Sequence, residues 1–195
     1  YSILAMLRIT AGQHRGRKLK VPNHKATRPL VERAREGVFN HLRDLVDGAT
    51  VWDIYAGSGI LGLEALSRGA AQVIAVEFSR KAILQIKENV KLIGCAKQLK
   101  AMQIDAYRVP QLASSLAAPT LIFFDPPYAD FRDGGPGRQK VWQLFVDLCA
   151  SLEPGGAAIV HTPRGILNDD ELDKLPHIER RDYGTASLYW WHNNE

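Results

Sequence analysis

The sequence predicts an α/β fold whose mostly parallel sheet carries helices on both faces. Two patterns predict it: five apolar runs of strand type recur along the chain, and a helix-length pattern separates each from the next. Strands joined by helical crossovers run parallel and are buried on both faces, which is why such strands are apolar throughout. A third observation is a C-terminal pair of strand-like segments, which would complete a sheet of seven strands.

The predicted elements follow one another in a regular order from residue 29 onward. A first helix is predicted over residues 29–43, because Pro29 suits a first helical turn and apolar residues then recur at helical spacing. A closing antiparallel hairpin is predicted at 176–183 and 186–192, on either side of Gly184. Between them, the strand-like runs lie at 50–54, 72–77, 98–104, 120–125 and 157–161, and the helical patterns at 60–68, 79–93, 106–116 and 138–151.

Length and composition indicate one globular, soluble domain with a small appendage. The chain has 195 residues, of which 46% are hydrophobic and 24% charged, enough to bury a core. No apolar run approaches the roughly 18 residues of a membrane span, and the opening is too short for a signal peptide, with Met6 a candidate start.

Cys95 and Cys149 lie in helical segments, which favours reduced thiols in a cytoplasmic protein. The six histidines show no ligand spacing, so we expect no metal site, and we expect a monomer.

The net charge of +4 is unevenly distributed along the chain. Residues 1–43 carry a balance of +8, and residues 44–195 a balance of −4. A basic block beside a nearly neutral body is typical of a protein that binds a phosphate backbone, although a merely solvated basic surface would look the same. Alternating apolar residues around a turn at 12–16 predict a hairpin in this block. We therefore expect a basic hairpin extension, residues 1–28, and a main domain, residues 29–195.

The first strand of the sheet ends in a glycine-rich turn that leads into a helix. Gly57, Gly59 and Gly62 have the spacing of a dinucleotide-binding loop, and Glu77 ends the next strand. Glycines allow a ligand close to the backbone, and a carboxylate at a strand end accepts hydrogen bonds from a ribose diol. An NAD enzyme fits these features. S-adenosylmethionine needs the same ones, and the carboxylate of Asp53 suits its positive sulfonium better than it suits a pyrophosphate. A tight structural turn is the remaining alternative.

Asp105 follows the third strand and has two interpretations. It is placed to accept a hydrogen bond from an adenine amino group, and it is equally suited to cap the helix that begins at Ala106. Both interpretations stay open on the sequence. The predicted cofactor-binding residues are Asp53, Ala56, Gly57, Ser58, Gly59, Glu77 and Asp105.

Residues 122–128, Ile-Phe-Phe-Asp-Pro-Pro-Tyr, are the most informative stretch of the chain. Two prolines end the strand in a stiff turn, because they fix φ and lack the N–H of a sheet ladder. The turn would gather the Asp125 carboxylate, the Pro126 carbonyl and the Tyr128 ring around one small space. A planar group with an amino substituent fits there, since the oxygens accept its two N–H bonds and the ring stacks on its face. The alternative is a strand end with a buried tyrosine. The glycine-rich loop 129–137 is predicted to be a lid over the site.

These motifs resemble those of a known family, the bacterial small-subunit ribosomal RNA guanine-N(2)-methyltransferases of the RsmD type. The resemblance runs from about residue 7 to the end of the chain. Its most specific parts are Leu-Glu-Ala-Leu-Ser-Arg-Gly-Ala at 63–70 and Arg-Ala-Arg-Glu at 33–36. The chain departs from the family at Tyr55, where phenylalanine is usual, and at 30–32, where polar residues are commoner. The other matching stretches are Thr27-Arg28-Pro29, Phe39-Asn40, Asp53 to Gly62, Glu77, Asn89 and Asp125 to Tyr128.

The resemblance implies a class I, Rossmann-like methyltransferase that uses S-adenosylmethionine, releases S-adenosylhomocysteine and modifies a guanine in 16S-type ribosomal RNA. Asp125 and the Pro126 carbonyl would hold the two protons of the guanine amino group, and Tyr128 would stack on the base. These three are the predicted catalytic residues. A base within a helix would have to be flipped out first. The expected partner is small-subunit RNA, free or in an assembling subunit, and no membrane partner is expected.

The basic hairpin and the first helix would bind RNA phosphates, which positions the strand without reading its sequence. Both elements belong to the basic block at residues 1–43. The predicted RNA-binding residues are Arg15, Arg17, Lys18, Arg28, Arg33 and Arg35.

Three other functions remain open on the sequence. An adenine-N(6) nucleic-acid methyltransferase shares the Asp-Pro-Pro-Tyr turn, but the enzymes that act on DNA normally carry a separate recognition domain. A dinucleotide-dependent oxidoreductase would need the glycine loop and gives no reason for that turn. A non-catalytic RNA-binding protein would need the basic block and neither motif.

Overall fold

The computed structural model describes residues 7–21, 32–131 and 136–194. Its strands are, in chain order, β1 (Leu7–Arg8), β2 (Lys18–Leu19), β3 (Thr50–Ile54), β4 (Gln72–Glu77), β5 (Leu99–Gln103), β6 (Leu121–Phe124), β7 (Ala157–Pro163), β8 (Glu179–Tyr183) and β9 (Ala186–His192). The first two form a small sheet of their own, and the other seven form the central sheet in the order β5-β4-β3-β6-β7-β9-β8.

The central sheet is parallel except at its C-terminal edge. β3 pairs in parallel with β4 on one side and β6 on the other, whereas β9 runs antiparallel to both β7 and β8. The predicted seven-stranded, mostly parallel sheet with a closing hairpin is therefore confirmed. The strand order reverses beside β3, and the crevice at the carboxyl ends of such strands is where open α/β sheets bind ligands.

Helices cover both faces of the sheet, as predicted. Successive residues of β6 point to opposite faces. Phe123 packs on Phe39 on one face and Phe124 packs on Phe145 on the other, each pair with ring centroids 5.4 Å apart. The helices are α1 (Glu32–His41), α2 (Arg43–Val46), α3 (Ile60–Ser67), α4 (Arg80–Ile93), α5 (Val109–Leu112), α6 (Pro136–Cys149) and α7 (Asp169–Leu172).

Two predicted helices differ from those observed. The helix predicted over 29–43 is divided, because α1 ends at His41 and α2 begins at Arg43, and its predicted start lies outside the described residues. The helix predicted over 106–116 consists of a 3₁₀ turn, the short α5 and a second 3₁₀ turn. Pro110 lies in the first turn of α5 and has no N–H to donate, so a continuous α-helix through it would lose a hydrogen bond.

The N-terminal hairpin is fastened to α3 of the main domain. β1 and β2 pair antiparallel, and the turn that joins them packs on the C-terminal half of α3. The fully buried carboxylate of Glu64 accepts hydrogen bonds from the Thr10 N–H at 2.8 Å, the Ala11 N–H at 3.1 Å and the Thr10 hydroxyl at 2.6 Å. A side chain at Gly12 would collide with the carbonyl oxygen of Ser67. The segment 63–70 thus attaches the hairpin, while a domain boundary at residue 28 stays a prediction.

Three further features concern the described residues. Within residues 7–21, 32–131 and 136–194, no helix is long and apolar enough to cross a membrane. The same residues contain no group of three or more His, Cys, Asp or Glu placed to hold a metal ion. Cys95 and Cys149 are both buried and not disulfide-bonded, and burial raises the pKa of each thiol.

Candidate active site at the carboxyl edge of the sheet

The glycine-rich turn after β3 forms an open loop held by the last residue of β4. Gly57 and Gly59 have φ angles of 56° and 77°, in the region that favours glycine. A Cβ added at Gly57 would find its nearest neighbour 4.0 Å away, so the backbone faces open space there. Glu77 accepts hydrogen bonds from the Gly57 N–H at 3.0 Å and the Ser79 N–H at 2.8 Å. The structure thus brings the predicted loop and Glu77 together.

The rest of the loop is anchored in the interior. Ala56 donates its N–H to the carbonyl oxygen of Val76 at 3.0 Å, which joins the loop to the end of β4. Ser58 is buried, and its carbonyl oxygen accepts a hydrogen bond from the Asn89 side chain at 3.0 Å. Tyr55 adopts a φ of 62° without being glycine, a strained conformation of the kind that clusters at functional sites. The loop is therefore a defined structure rather than a loose connection.

Asp53 lies in β3, behind the glycine loop. Its side chain is buried, and Oδ2 accepts a hydrogen bond from the Gly62 N–H at 3.0 Å. Burial raises the pKa of Asp53 to about 8, with smaller contributions from the nearby Asp125 and Glu77 carboxylates and with the Gly62 N–H opposing. A carboxyl group with this pKa is mostly protonated at pH 7. The geometry gives Asp53 a part in holding α3 against the loop, and its contact with a cofactor stays a prediction.

Asp105 makes the helix-capping contact that was one of its two interpretations. Its Oδ1 accepts a hydrogen bond from the Tyr107 N–H at 3.0 Å, and the side chain is exposed after β5. The two interpretations do not exclude each other, because a carboxylate accepts more than one hydrogen bond. The contact with an adenine amino group stays a prediction.

The turn after β6 gathers the three predicted catalytic residues. The Asp125 N–H donates to the carbonyl oxygen of Ile54 at 3.2 Å, which places the turn beside the glycine loop. Asp125 Oδ1 lies 2.7 Å from His161 Nδ1, and the Tyr128 hydroxyl lies 2.9 Å from His161 Nε2. The Asp125 side chain remains 25% exposed and thus accessible to a ligand. Residues 132–135 of the predicted lid lie outside the described residues, so the lid stays a prediction.

Most of the predicted RNA-binding cations lie on the surface. Arg15, Arg17 and Lys18 on the N-terminal hairpin are exposed, and so is Arg33 on α1. Exposure is what contact with a phosphate requires, and their role stays a prediction. Arg28 lies outside the described residues.

The prediction that Arg35 contacts RNA was wrong, because its side chain is completely buried. Its Nη2 donates to the carbonyl oxygen of Arg8 at 2.7 Å, and its Nε lies 3.6 Å from Oε2 of Glu64. Burial lowers the pKa of Arg35, and the negative charge of Glu64 is the main opposing influence. An enclosed guanidinium cannot reach a phosphate. Arg35 instead helps to neutralise the carboxylate that attaches the hairpin, together with Arg68, whose Nε lies 2.9 Å from Glu64 Oε1.

Three residues at the site received no role from the sequence. Phe78 directly follows Glu77 and is 74% exposed, unusual for a phenylalanine. Asn89 is buried under the glycine loop, and His161 lies beside Asp125. Each has a recognisable sequence feature. Phe78 is an aromatic residue after a strand-ending carboxylate, Asn89 is an asparagine among the apolar residues of α4, and His161 is a histidine near the end of an apolar strand.

Asn89 joins the N-terminal hairpin to the glycine loop, and its replacement should destabilise the protein. The side chain accepts from the Lys20 N–H at 2.9 Å and donates to the carbonyl oxygens of Lys20 and Ser58 at 2.9 and 3.0 Å. Asn89→Ala leaves these three backbone groups without their partner, the Ser58 carbonyl in a buried place and the two groups of Lys20 in a partly buried one. We expect the free energy of unfolding to fall by about 2–3 kcal/mol, measured by urea denaturation.

The matched control for this prediction is Glu88→Ala on the same helix. Glu88 also contacts Lys20, through an exposed ion pair of 3.1 Å. Exposed pairs contribute at most about 1 kcal/mol, so this variant should unfold nearly as the wild type does. Equal losses in the two variants would contradict the buried bridge.

Comparison with known proteins places the sequence among bacterial relatives. A family model described as conserved hypothetical protein 95 matches residues 7–192. The chain is 31% identical to YlbH of Bacillus subtilis over 183 residues, which cover 93% of this chain and 96% of that protein. It is 38% identical to the ribosomal RNA small subunit methyltransferase D of Escherichia coli over 122 residues. That second match spans 63% of this chain and 60% of the relative.

Solved structures agree with the fold. YhhF of Escherichia coli superposes with a TM-score of 0.76 at 27% identity, over 96% of this chain and 98% of that one. Two more distant structures of the same fold, at 16% and 21% identity, hold S-adenosylhomocysteine and S-adenosylmethionine respectively. The predicted class I methyltransferase fold is confirmed.

Proposed function

Because the chain belongs to the family described as conserved hypothetical protein 95, which is of the RsmD type, we propose that it methylates small-subunit ribosomal RNA, using S-adenosylmethionine to modify the exocyclic N(2) amino group of a guanine. Relatives named ribosomal RNA small subunit methyltransferase D support methylation of this RNA. The observation that carries the choice of an amino group is the turn after β6, where a carboxylate, a carbonyl and an aromatic ring follow one another. These groups match the two N–H bonds and the face of an amino-substituted base.

The glycine loop and the end of β4 fit the cofactor. Gly57 leaves room for a ligand against the backbone, as its open Cβ position indicates. Each oxygen of Glu77 accepts one N–H and has a second lone pair for a ribose hydroxyl. Phe78, exposed beside Glu77, offers a face on which adenine stacks, and Asp105 would accept from the adenine amino group. When bound, the cofactor supplies an electrophilic methyl group on a positively charged sulfur.

The turn after β6 orients the acceptor. A guanine amino group is a poor nucleophile, because its lone pair is delocalised into the ring. Asp125 and the Pro126 carbonyl oxygen accept its two N–H bonds, which draws the nitrogen toward tetrahedral geometry and directs the lone pair at the methyl group. Tyr128 stacks on the base, a contact of about 1–3 kcal/mol. In the transfer a nitrogen–carbon bond would form as the cofactor's carbon–sulfur bond breaks, and the proton that the nitrogen loses would pass to Asp125 or to water. The rate owes most to positioning.

The exposed cations of the hairpin and α1 bind the RNA backbone in this proposal. Arg15, Arg17 and Lys18 lie between or on β1 and β2. Glu64 holds one side of this hairpin to α3, and Asn89 holds its other side to the glycine loop. The cations are therefore fixed relative to the site. Phosphate contacts of this kind set the register of the RNA and make its affinity dependent on salt.

Nucleoside mass spectrometry tests the proposal. Unmethylated small-subunit RNA, free and in subunits, is incubated with the protein and S-adenosylmethionine, and its nucleosides are then analysed. New N(2)-methylguanosine is the expected product. Methyladenosine instead would show that the base is wrong. Failure to methylate either substrate, with cofactor binding demonstrated by calorimetry, would assign the enzyme to another nucleic acid. Failure to bind the cofactor would overturn the enzymatic proposal.

A further inference from the structure

His161 connects two of the proposed catalytic residues. It lies in β7, which pairs in parallel with β6 so that Val160 stands opposite Phe124, and His161 is therefore beside Asp125. Its Nδ1 is 2.7 Å from Asp125 Oδ1, and its Nε2 is 2.9 Å from the Tyr128 hydroxyl. Both distances are those of good hydrogen bonds. The imidazole ring thus bridges the carboxylate and the phenol.

The surroundings hold the imidazole ring in one place. β7 has neighbours on both sides, since β6 pairs with one edge and β9 with the other, where Leu188 lies opposite His161. The side chain is 9% exposed. A cavity beside it has mostly apolar walls, formed by Val38, Leu61, Phe123, Phe124, Ile159 and Leu188 together with Asp125 and His161. Hydrogen bonds in such surroundings are stronger than in water, so this bridge orders its partners.

We propose that His161 is a positioning residue that orients both Asp125 and Tyr128 toward the acceptor base. The inference rests on the proposed function, and it adds a residue for which the sequence and the family resemblance supplied no role. A neutral imidazole with the proton on Nδ1 donates to Asp125 Oδ1 and accepts from the Tyr128 hydroxyl at Nε2. The other oxygen, Oδ2, then accepts the N–H of the base. The same bridge fixes the plane of the Tyr128 ring on which the base stacks.

Two conservative variants separate the halves of the bridge. In His161→Asn the side-chain amide nitrogen takes the place of Nδ1, so it still donates to Asp125 and loses Tyr128. In His161→Gln the longer amide takes the place of Nε2, so it still bonds to Tyr128 and loses Asp125. His161→Ala removes both contacts. His177→Asn is the matched control, because His177 is exposed in the segment before β8.

The expected results differ between kcat and KM. His161→Ala lowers kcat/KM about ten- to a hundredfold, since a misplacement of about 1 Å in an active site can cost about a hundredfold. His161→Asn restores most of kcat, whereas His161→Gln restores the KM for RNA and leaves kcat low. All three bind S-adenosylmethionine as the wild type does. Wild-type kcat and KM in His161→Ala, or equal defects in all three variants, would overturn the positioning role.

A measurement that needs no methyl transfer tests the His161 bridge separately from the proposed function. Nitrogen-15 chemical shifts of the histidine ring report which nitrogen carries the proton. We expect the Nδ1–H form at His161 in the wild-type protein, and we expect Asp125→Ala and Tyr128→Phe each to shift the resonance of the nitrogen that loses its partner. Unchanged shifts in both variants would overturn the bridge even if the enzyme is active. If no RNA is methylated while the shifts behave as expected, the proposed function fails and the bridge stands.

Discussion

Asp125→Ala should lower kcat for methyl transfer by about 10²–10³-fold and leave the affinities for RNA and S-adenosylmethionine within about threefold. The expected loss is the one seen when a single preorganised polar group is removed from an active site. Asp125 is the charged acceptor in the turn after β6, and its side chain is partly exposed where a base would approach. In the proposed function RNA affinity comes mainly from exposed cations on the hairpin and α1, which Asp125→Ala leaves intact. Single-turnover rates and separate binding titrations measure the two effects.

The control for this prediction is Asp147→Ala, which removes an equal charge elsewhere. Asp147 is exposed on α6 and accepts a hydrogen bond from Gln143 at 2.8 Å. It should methylate at the wild-type rate. Near wild-type turnover in Asp125→Ala would show that the amino group is oriented by other groups, and the mechanism proposed for the turn would then be wrong.

The strands and the layers of the fold could be predicted because a strand that is buried on both faces has a recognisable local sequence. A strand between two layers of helices needs mostly apolar residues, and β6, which directly precedes Asp125, is apolar at every position. The glycine loop and the proline turn were also local signals, since both depend on backbone angles of their own residues. The interruption of the helix after β5 was indicated by Pro110, but the prediction followed the helical pattern of residues 106–116 instead.

The contacts of polar side chains between distant segments could not be predicted in this way. Asp125 and His161 are separated by 36 residues, and only the pairing of β6 with β7 brings them together. Asn89 reaches Lys20 across 69 residues. Local sequence indicates that such a residue is polar on an apolar face, and tertiary structure decides which partner satisfies it.

The burial of Arg35 could have been predicted from the sequence, because the apolar periodicity of its helix already indicates it. Arg35 stands three, four and seven residues before Val38, Phe39 and Leu42, so it belongs to the apolar face of α1 and its continuation. The charge balance of residues 1–43 does not distinguish Arg35 from Arg33, which stands two positions earlier and is exposed on another side of the helix. Charge composition identifies a basic segment, whereas helical phase decides which cations of that segment reach solvent.

Arg33 and Arg35 should therefore respond in opposite ways to the same substitution. Arg35→Met leaves the Arg8 carbonyl oxygen without its donor and the buried Glu64 carboxylate with Arg68 as its remaining cation, and we expect the free energy of unfolding to fall by about 2–3 kcal/mol. Arg33→Met should change it by no more than about 0.5 kcal/mol, because the side chain is exposed. For RNA binding we expect the larger effect from Arg33→Met, which should reduce the slope of log affinity against log salt concentration by about 1. Urea denaturation and salt-dependent binding, measured on both variants at a temperature where both are folded, test the pair.

A double variant separates the two parts of the Arg35 effect. Arg35→Met with Glu64→Met removes both fully buried charges of this pair, although Arg68, 16% exposed, loses its carboxylate partner, so part of the lost stability should return. The recovery should stay incomplete, because the N–H groups of Thr10 and Ala11 and the Thr10 hydroxyl lose the carboxylate that accepts them. The hairpin would then be held less firmly on α3, and RNA affinity should fall although its exposed cations are intact. A double variant that loses as much stability as the sum of the single ones would show that the two side chains act independently. A variant Arg35→Met that keeps its stability and loses RNA affinity would return Arg35 to the RNA-binding surface.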